Sequence, residues 1–250
     1  MNYRKTTHRR VPFGSVARAL RRLRLGVHPV AARTAGVSAW RIPLHAMPIT
    51  LRILRVALTR DERKRIARRR GRSEQRRATL SLALQRTLLG LVLARNGAAL
   101  RIANQRHGKP VLAMARDRWL HFNASHSGDT LLVALGGTRP LGIDIERRHR
   151  IAAQRAPARL LTATERARLQ SLDEAARPRA FLQLWTRKEA AAKADGRGLA
   201  LDFAALEAWN AGTVLNESQA WRTRDLALGA DRIGSLAQAM PRETTTPPAR

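Results

Sequence analysis

The chain has 250 residues, 44% of them hydrophobic, which suffices for one large domain or two small ones with cores of their own. It contains no cysteine, so disulfides, thiolate metal sites and cysteine nucleophiles are excluded. With 48 Lys plus Arg against 18 Asp plus Glu, the net charge is +30. That points to an anionic partner without choosing between nucleic acid, a polyphosphate substrate and an acidic protein. Arginine supplies 43 of the 48 cations, a bias that genome base composition produces as readily as function. No run of 18 apolar residues suggests a membrane span.

Residues 1–46 carry ten basic side chains and no acid, and are expected to be a disordered or dispensable extension. The periodic pattern begins after Met47, where Ile49 to Val56 reads as a strand. Residues 60–77 hold ten basic and three acidic side chains, and Leu80 to Leu93 then reads as a helix ending at Asn96-Gly97. His107-Gly108-Lys109-Pro110 is expected to turn. Trp119 to Asn123 reads as a short strand entering a turn at Ala124-Ser125-His126-Ser127-Gly128. Thr130 to Leu135 and Gly142 to Glu146 read as strands joined through Gly136-Gly137. Thr162-Ala163-Thr164-Glu165 has the form of a capping box, which makes Glu165 a cap rather than a catalyst. A second helix is expected over 180–194, then a strand from Phe203 to Trp209, and no fixed-period repeat is visible. The expected fold is α+β, with two related subdomains over 47–138 and 139–240 and a disordered tail at 241–250.

Carboxylates are rare here, so those set between apolar neighbours stand out. In Gly142-Ile143-Asp144-Ile145-Glu146 a strand would turn both acids to one face and both isoleucines to the core. In Trp185-Thr186-Arg187-Lys188-Glu189-Ala190-Ala191-Ala192-Lys193, helical spacing would stack Trp185, Glu189 and Lys193 on one stripe. Two strand carboxylates and one helix carboxylate form a hard-oxygen set suited to Mg²⁺, an ion that takes further ligands from substrate phosphates. Each piece also has an ordinary reading: a polar strand face, or an i,i+4 ion pair worth about 0.3–0.5 kcal/mol when exposed. No ordered Ser–His–Asp arrangement, P-loop or dinucleotide-binding glycine fingerprint is present.

Taken in order, Gly-Lys-Pro, Phe-Asn-x-Ser-His-Ser-Gly, Gly-Ile-Asp-Ile-Glu and Trp-x-x-Lys-Glu-Ala-x-x-Lys-x-x-Gly-x-Gly-Leu resemble the 4′-phosphopantetheinyl transferases of the monomeric, surfactin-synthetase-activating type. The resemblance covers roughly residues 49–210. It implies two subdomains forming a pseudo-dimer with coenzyme A in the cleft between them. The implied reaction moves the phosphopantetheine arm of coenzyme A to a serine of an apo acyl or peptidyl carrier protein. Adenosine 3′,5′-bisphosphate is released, and Mg²⁺ is required. By resemblance Asp144, Glu146 and Glu189 hold the metal. Glu189 is then the base, directly or through water, and Lys193 stabilises the departing phosphate. Arg63, Arg65 and Arg77 would meet coenzyme phosphates, Gly108, Lys109 and Pro110 the adenine, and Ser125 and His126 the phosphates. Glu62 stands where relatives often carry a basic residue, and the basic extension has no counterpart. The implied protein is a cytoplasmic monomer with an acidic carrier partner, no membrane association and no specific nucleic acid. The alternatives are a basic nucleic-acid-binding protein and an inactive relative that only binds coenzyme A or carrier.

Overall fold

A computed structural model describes residues 27–241, apart from 33, 35, 46–53, 138 and 149–157. The first half builds a four-stranded antiparallel sheet in the order β1-β2-β6-β5, from β1 (His28–Val30), β2 (Val37–Pro43), β5 (His121–Ser127) and β6 (Thr130–Gly136). Between β2 and β5 the chain forms α1 (Arg60–Ala67), α2 (Arg72–Leu93) and a small hairpin of β3 (Ile102–Asn104) and β4 (Pro110–Leu112). The second half repeats the plan. Its sheet runs β7-β10-β9-β8, with β7 (Leu141–Arg147), β8 (Thr213–Leu215), β9 (Ala220–Asp225) and β10 (Arg232–Ala239). A short helix α3 (Ala163–Gln170) and a long helix α4 (Arg177–Asp195) follow β7, as α1 and α2 follow β2.

Side-chain alternation explains how the halves join. Every residue of β6 is buried, because the strand is covered on both faces. Leu131, Val133 and Leu135 face the α2 side, where Leu80, Leu84 and Leu88 recur at four-residue spacing. Leu132 and Ala134 face the other way, onto Ile143, Ile145 and Leu236 of the second sheet. The isoleucines of β7 thus enter a core shared by both halves, which leaves Gly142, Asp144 and Glu146 on the face toward α4. At Gly142 strand and helix are in backbone contact: a Cβ there would fall 2.5 Å from the Ala194 amide nitrogen and onto the Ala190 carbonyl. Ala190, Ala191, Ala192 and Ala194 are small enough to allow that approach.

Both halves also carry the same buried latch. Thr59 and Glu62 form a capping box on α1, and Glu62 pairs with Arg86 of α2 at 2.7 Å. The Arg86 guanidinium donates onward to the Gly97 and Leu100 carbonyls. Thr162 and Glu165 form the matching box on α3, and Glu165 pairs with Lys188 of α4 at 2.5 Å. The Lys188 ammonium donates to the Leu160 and Phe203 carbonyls, and the Glu165 carboxylate also accepts from the Ala208 amide. The repeat is partly legible as sequence, since Leu58-Thr59-x-x-Glu62-Arg63-x-Arg65 matches Leu161-Thr162-x-x-Glu165-Arg166-x-Arg168, while the cation that closes each latch differs, Arg86 in one half and Lys188 in the other.

Several expectations are corrected. Strands β1 and β2 lie within residues 1–46, and Trp40, Ile42 and Leu44 are core residues, so the folded unit begins upstream of Met47. Residues 1–26, and residues 242–250 of the tail expected at 241–250, lie outside the described residues. Of the strand expected at Ile49 to Val56, residues 49–53 lie outside the described residues, and Leu54 and Arg55 are in a helical turn. Ala124 to Ser127 is strand, not turn; the chain reverses only at Gly128-Asp129. Phe203–Ala205 is a single 3-10 turn capped by Asp202, and Glu207 makes an isolated bridge to Leu215 in place of the expected strand.

Candidate active site

The two sheets meet edge to edge at β5 and β7, and side chains bridge them. Asn123, Ser125 and Ser127 alternate along β5, so all three point the same way. The Asn123 side-chain oxygen accepts from the Ile143 amide at 2.9 Å. The Ser125 hydroxyl donates to Asp144 Oδ1 at 2.7 Å, and the Ser127 hydroxyl donates to Glu146 Oε2 at 2.9 Å. Ser127 Oγ also accepts from the Arg147 amide at 3.1 Å. These bridges set the register of the two carboxylates against the first half.

Helix α4 brings the remaining groups. Trp185, Glu189 and Lys193 share the half-exposed stripe that the spacing predicts, with Trp185 stacked on Phe203 at 5.6 Å. The Lys193 ammonium donates to Asp144 Oδ1 at 2.6 Å and to Ser125 Oγ at 3.1 Å, and lies 3.8 Å from Glu189 Oε2. Burial pushes the Glu189 carboxyl above its ordinary pKa; Lys193 pulls it down, while Asp144 and Glu146 push it further up. That mutual influence places three carboxylates and one lysine in a single electrostatic unit.

Among the described residues no three metal-ligating side chains are already grouped around one point. The Lys193 ammonium is the counter-ion of both Asp144 and Glu189. The set nevertheless fits a divalent cation by its chemistry. Asp144 Oδ2 is buried and has no hydrogen-bond partner, an arrangement that is costly unless something else satisfies it. Three carboxylates offer the hard oxygens that Mg²⁺ prefers.

The other residues named from the sequence fall into three groups. Ser125 joins the carboxylates, while His126, next along β5, is exposed on the opposite side. Gly108, with φ of 85°, makes the hairpin turn, and Lys109 and Pro110 border a cavity of about 460 Å³ with Phe122, His121, Arg118 and Asp195. Arg63 and Arg65 are exposed on α1, and Arg77 on α2 pairs with Glu74 at 3.1 Å. The guanidinium of Arg63 donates to Leu58 O at 2.5 Å, so the recorded contacts of Arg63 and Arg77 stay within the first half. Sequence reasoning missed Asn123 and Ser127, although their two-residue spacing with Ser125 was the available signal.

Comparison with known proteins settles the family. The domain described as the 4′-phosphopantetheinyl transferase superfamily matches residues 140–227, and the one described as 4′-phosphopantetheinyl transferase, N-terminal, matches residues 45–137. The 4′-phosphopantetheinyl transferase HetI of Nostoc sp. is 34% identical over 169 residues, covering 66% of this chain and 70% of HetI. The chain belongs to the 4′-phosphopantetheinyl transferase superfamily, in its Sfp type. The transferase Sfp of Bacillus subtilis is 36% identical over 125 residues, 46% of this chain and 54% of Sfp. The transferase gsp of Aneurinibacillus migulanus is 37% identical over 93 residues, 37% of each chain. The chain thus spans about half the length of Sfp and more of HetI. The junction between the two matched domains falls within the β6–β7 connection, where one half of this transferase hands over to the other.

Proposed function

We propose that this transferase moves the 4′-phosphopantetheine arm of coenzyme A to a serine hydroxyl of an apo acyl or peptidyl carrier protein. The observation that carries the reading is the meeting of Asp144, Glu189 and Lys193 at the β5–β7 seam, with one Asp144 oxygen left unsatisfied. In this reading Asp144, Glu146 and Glu189 hold Mg²⁺, which supplies charge neutralisation at pyrophosphate oxygens. Phosphoryl-type transfer depends mostly on positioning and electrostatics. Glu189 accepts the proton of the attacking serine, and burial among like charges makes its carboxylate a better base than an exposed one. The serine oxygen forms the new P–O bond, and the bond to adenosine 3′,5′-bisphosphate breaks. Lys193, now paired with Asp144, is one helical turn from Glu189 and supplies the cation for the departing phosphate.

The seat of the coenzyme follows the same reading. The cavity beside Lys109 and Pro110 takes the adenine, with Gly108 opening the hairpin. Ser125 serves the pyrophosphate beside the carboxylates, His126 meets a phosphate on the other face of β5, and the Arg63, Arg65 and Arg77 guanidinium groups supply the positive field for the 3′-phosphate. The net charge of +30 favours an acidic carrier by steering its approach. One chain supplies both halves of the cleft, so a monomer suffices. A polyanion-binding role without catalysis gives no account of carboxylates gathered at this seam.

The test is incubation with Mg²⁺, coenzyme A and an apo carrier protein, followed by intact-mass measurement of the carrier. The expected result is the gain of one phosphopantetheine arm, abolished by EDTA. No gain on any of several fatty-acid, polyketide and peptide carriers overturns the reading.

A further inference from the structure

The Lys109 ammonium sits where three segments converge. Lys109 closes the hairpin between β3 and β4, and its Nζ donates to the Ala194 carbonyl at 2.8 Å and to the Leu141 carbonyl at 3.2 Å. Leu141 opens the strand that carries Asp144 and Glu146, and Ala194 directly follows Lys193. Gly196, with φ of 98°, ends α4 under the hairpin: a Cβ there would lie 2.9 Å from Gln105 Oε1 and 3.4 Å from Lys109 Cδ. The hairpin of the first half is therefore seated on the last turn of the helix that carries Glu189. A cation at a helix C-terminus also meets the negative end of the helix dipole.

We infer that the Lys109 side chain is a positioning residue: it clamps the end of α4 to the start of β7 and so fixes Glu189 and Lys193 against Asp144 and Glu146. This rests on the reading given under Proposed function, and adds that the Lys109 ammonium acts through the protein rather than on the coenzyme. The clamp is pH-sensitive. Burial lowers the Lys109 pKa to about 8, with Asp195 on α4 opposing the shift. His121 on β5 and Arg118 in the turn before it are the other titratable or charged groups around the cavity. As pH rises through that value the ammonium loses its proton, and its hold on the two carbonyls weakens.

The test compares the full-length protein with Lys109→Met, which keeps the stem and removes the donors, and Lys109→Arg, whose charge does not titrate in this range. Amide hydrogen exchange over residues 190–196 and 141–144 is measured without coenzyme, and kcat and KM for coenzyme A are measured from pH 6.5 to 9.5. In Lys109→Met, exchange at the end of α4 is expected to rise about tenfold. Its kcat is expected to fall about 10- to 100-fold, with KM changed by less than about threefold. In Lys109→Arg, protection and kcat return, and the decline of wild-type kcat above pH 8 is absent. A rise in KM alone, with kcat and exchange unchanged, overturns the inference and makes Lys109 a coenzyme contact. Should Lys109→Met not fold, the wild-type chain decides: protection at 190–196 that is the same at pH 6.5 and 9.5, after correction for intrinsic exchange, overturns it. If the wild-type chain modifies no carrier, the transferase reading falls, and the exchange data alone decide whether the clamp exists.

Discussion

Lys193 donates to Asp144 at 2.6 Å while Asp144 keeps its second oxygen buried and unpartnered. The lysine thus holds the place of a cation on one side of the carboxylate and leaves the other side without a partner. Removing it should relieve competition for the acids. In Lys193→Met, Mn²⁺ titrated without coenzyme and followed by electron paramagnetic resonance is expected to bind about tenfold more tightly. Carrier modification in the same variant is expected to fall by about 100-fold or more. Unchanged or weaker Mn²⁺ binding would mean that Lys193 does not compete for the site.

Glu189 is held among like charges for function and not for stability. Its folded-state pKa lies above the unfolded value, so folding is disfavoured as pH rises through that interval. The penalty is absent below the unfolded pKa and complete above the folded one. Glu189→Gln is therefore expected to raise Tm at pH 7 by about 2–4 °C, and to raise it less at pH 5. The same variant and Asp144→Asn should each lose about 100-fold or more in turnover. A lower Tm for Glu189→Gln at pH 7 would show that the carboxylate is stabilising in place.

The buried latches make the opposite prediction. Glu165 and Lys188 are both fully buried and partnered, so truncating one strands the other without water. Glu165→Ala is expected to cost about 3–5 kcal/mol, lowering Tm by roughly 10 °C. Glu62→Ala should behave similarly through Arg86 in the first half. Thermal unfolding followed by circular dichroism measures both; a loss under about 1 kcal/mol in either would mean that water or a rotamer change restores the missing partner.

Deleting residues 1–46 removes β1, β2 and the core side chains Trp40, Ile42 and Leu44. Each such side chain contributes about 1.5–3 kcal/mol, and β6 loses one of its two antiparallel neighbours as well. The truncated chain is expected to be insoluble or to lack cooperative unfolding. A soluble product with wild-type turnover would contradict this.

What could be read from the chain was mostly local. The capping box at Thr162, the alternation in β7 and the Trp185-Glu189-Lys193 stripe depend on periods of two and 3.6 residues, which neighbours in sequence dictate. The early strands escaped notice because eight of the ten basic residues of 1–46 lie just upstream of them, at 4–24, and set the character of the whole segment. Arg41 alternates with buried Trp40 and Ile42, and composition hid that period. Ser125 to Ser127 looked like a turn because Ser, His and Gly favour turns, but pairing with β6 overrode propensity.

By itself the sequence determined the two long helices and the strand of β7, the rarity and placement of its carboxylates, and the ordered motifs by which its family is recognised. Tertiary structure alone decided that β5 and β7 meet at their edges, that Lys193 neutralises Asp144, and that Lys109 ties a hairpin to a helix 85 residues away. Such contacts join segments distant along the chain. They follow from how the two sheets bury their shared core, which no local period encodes.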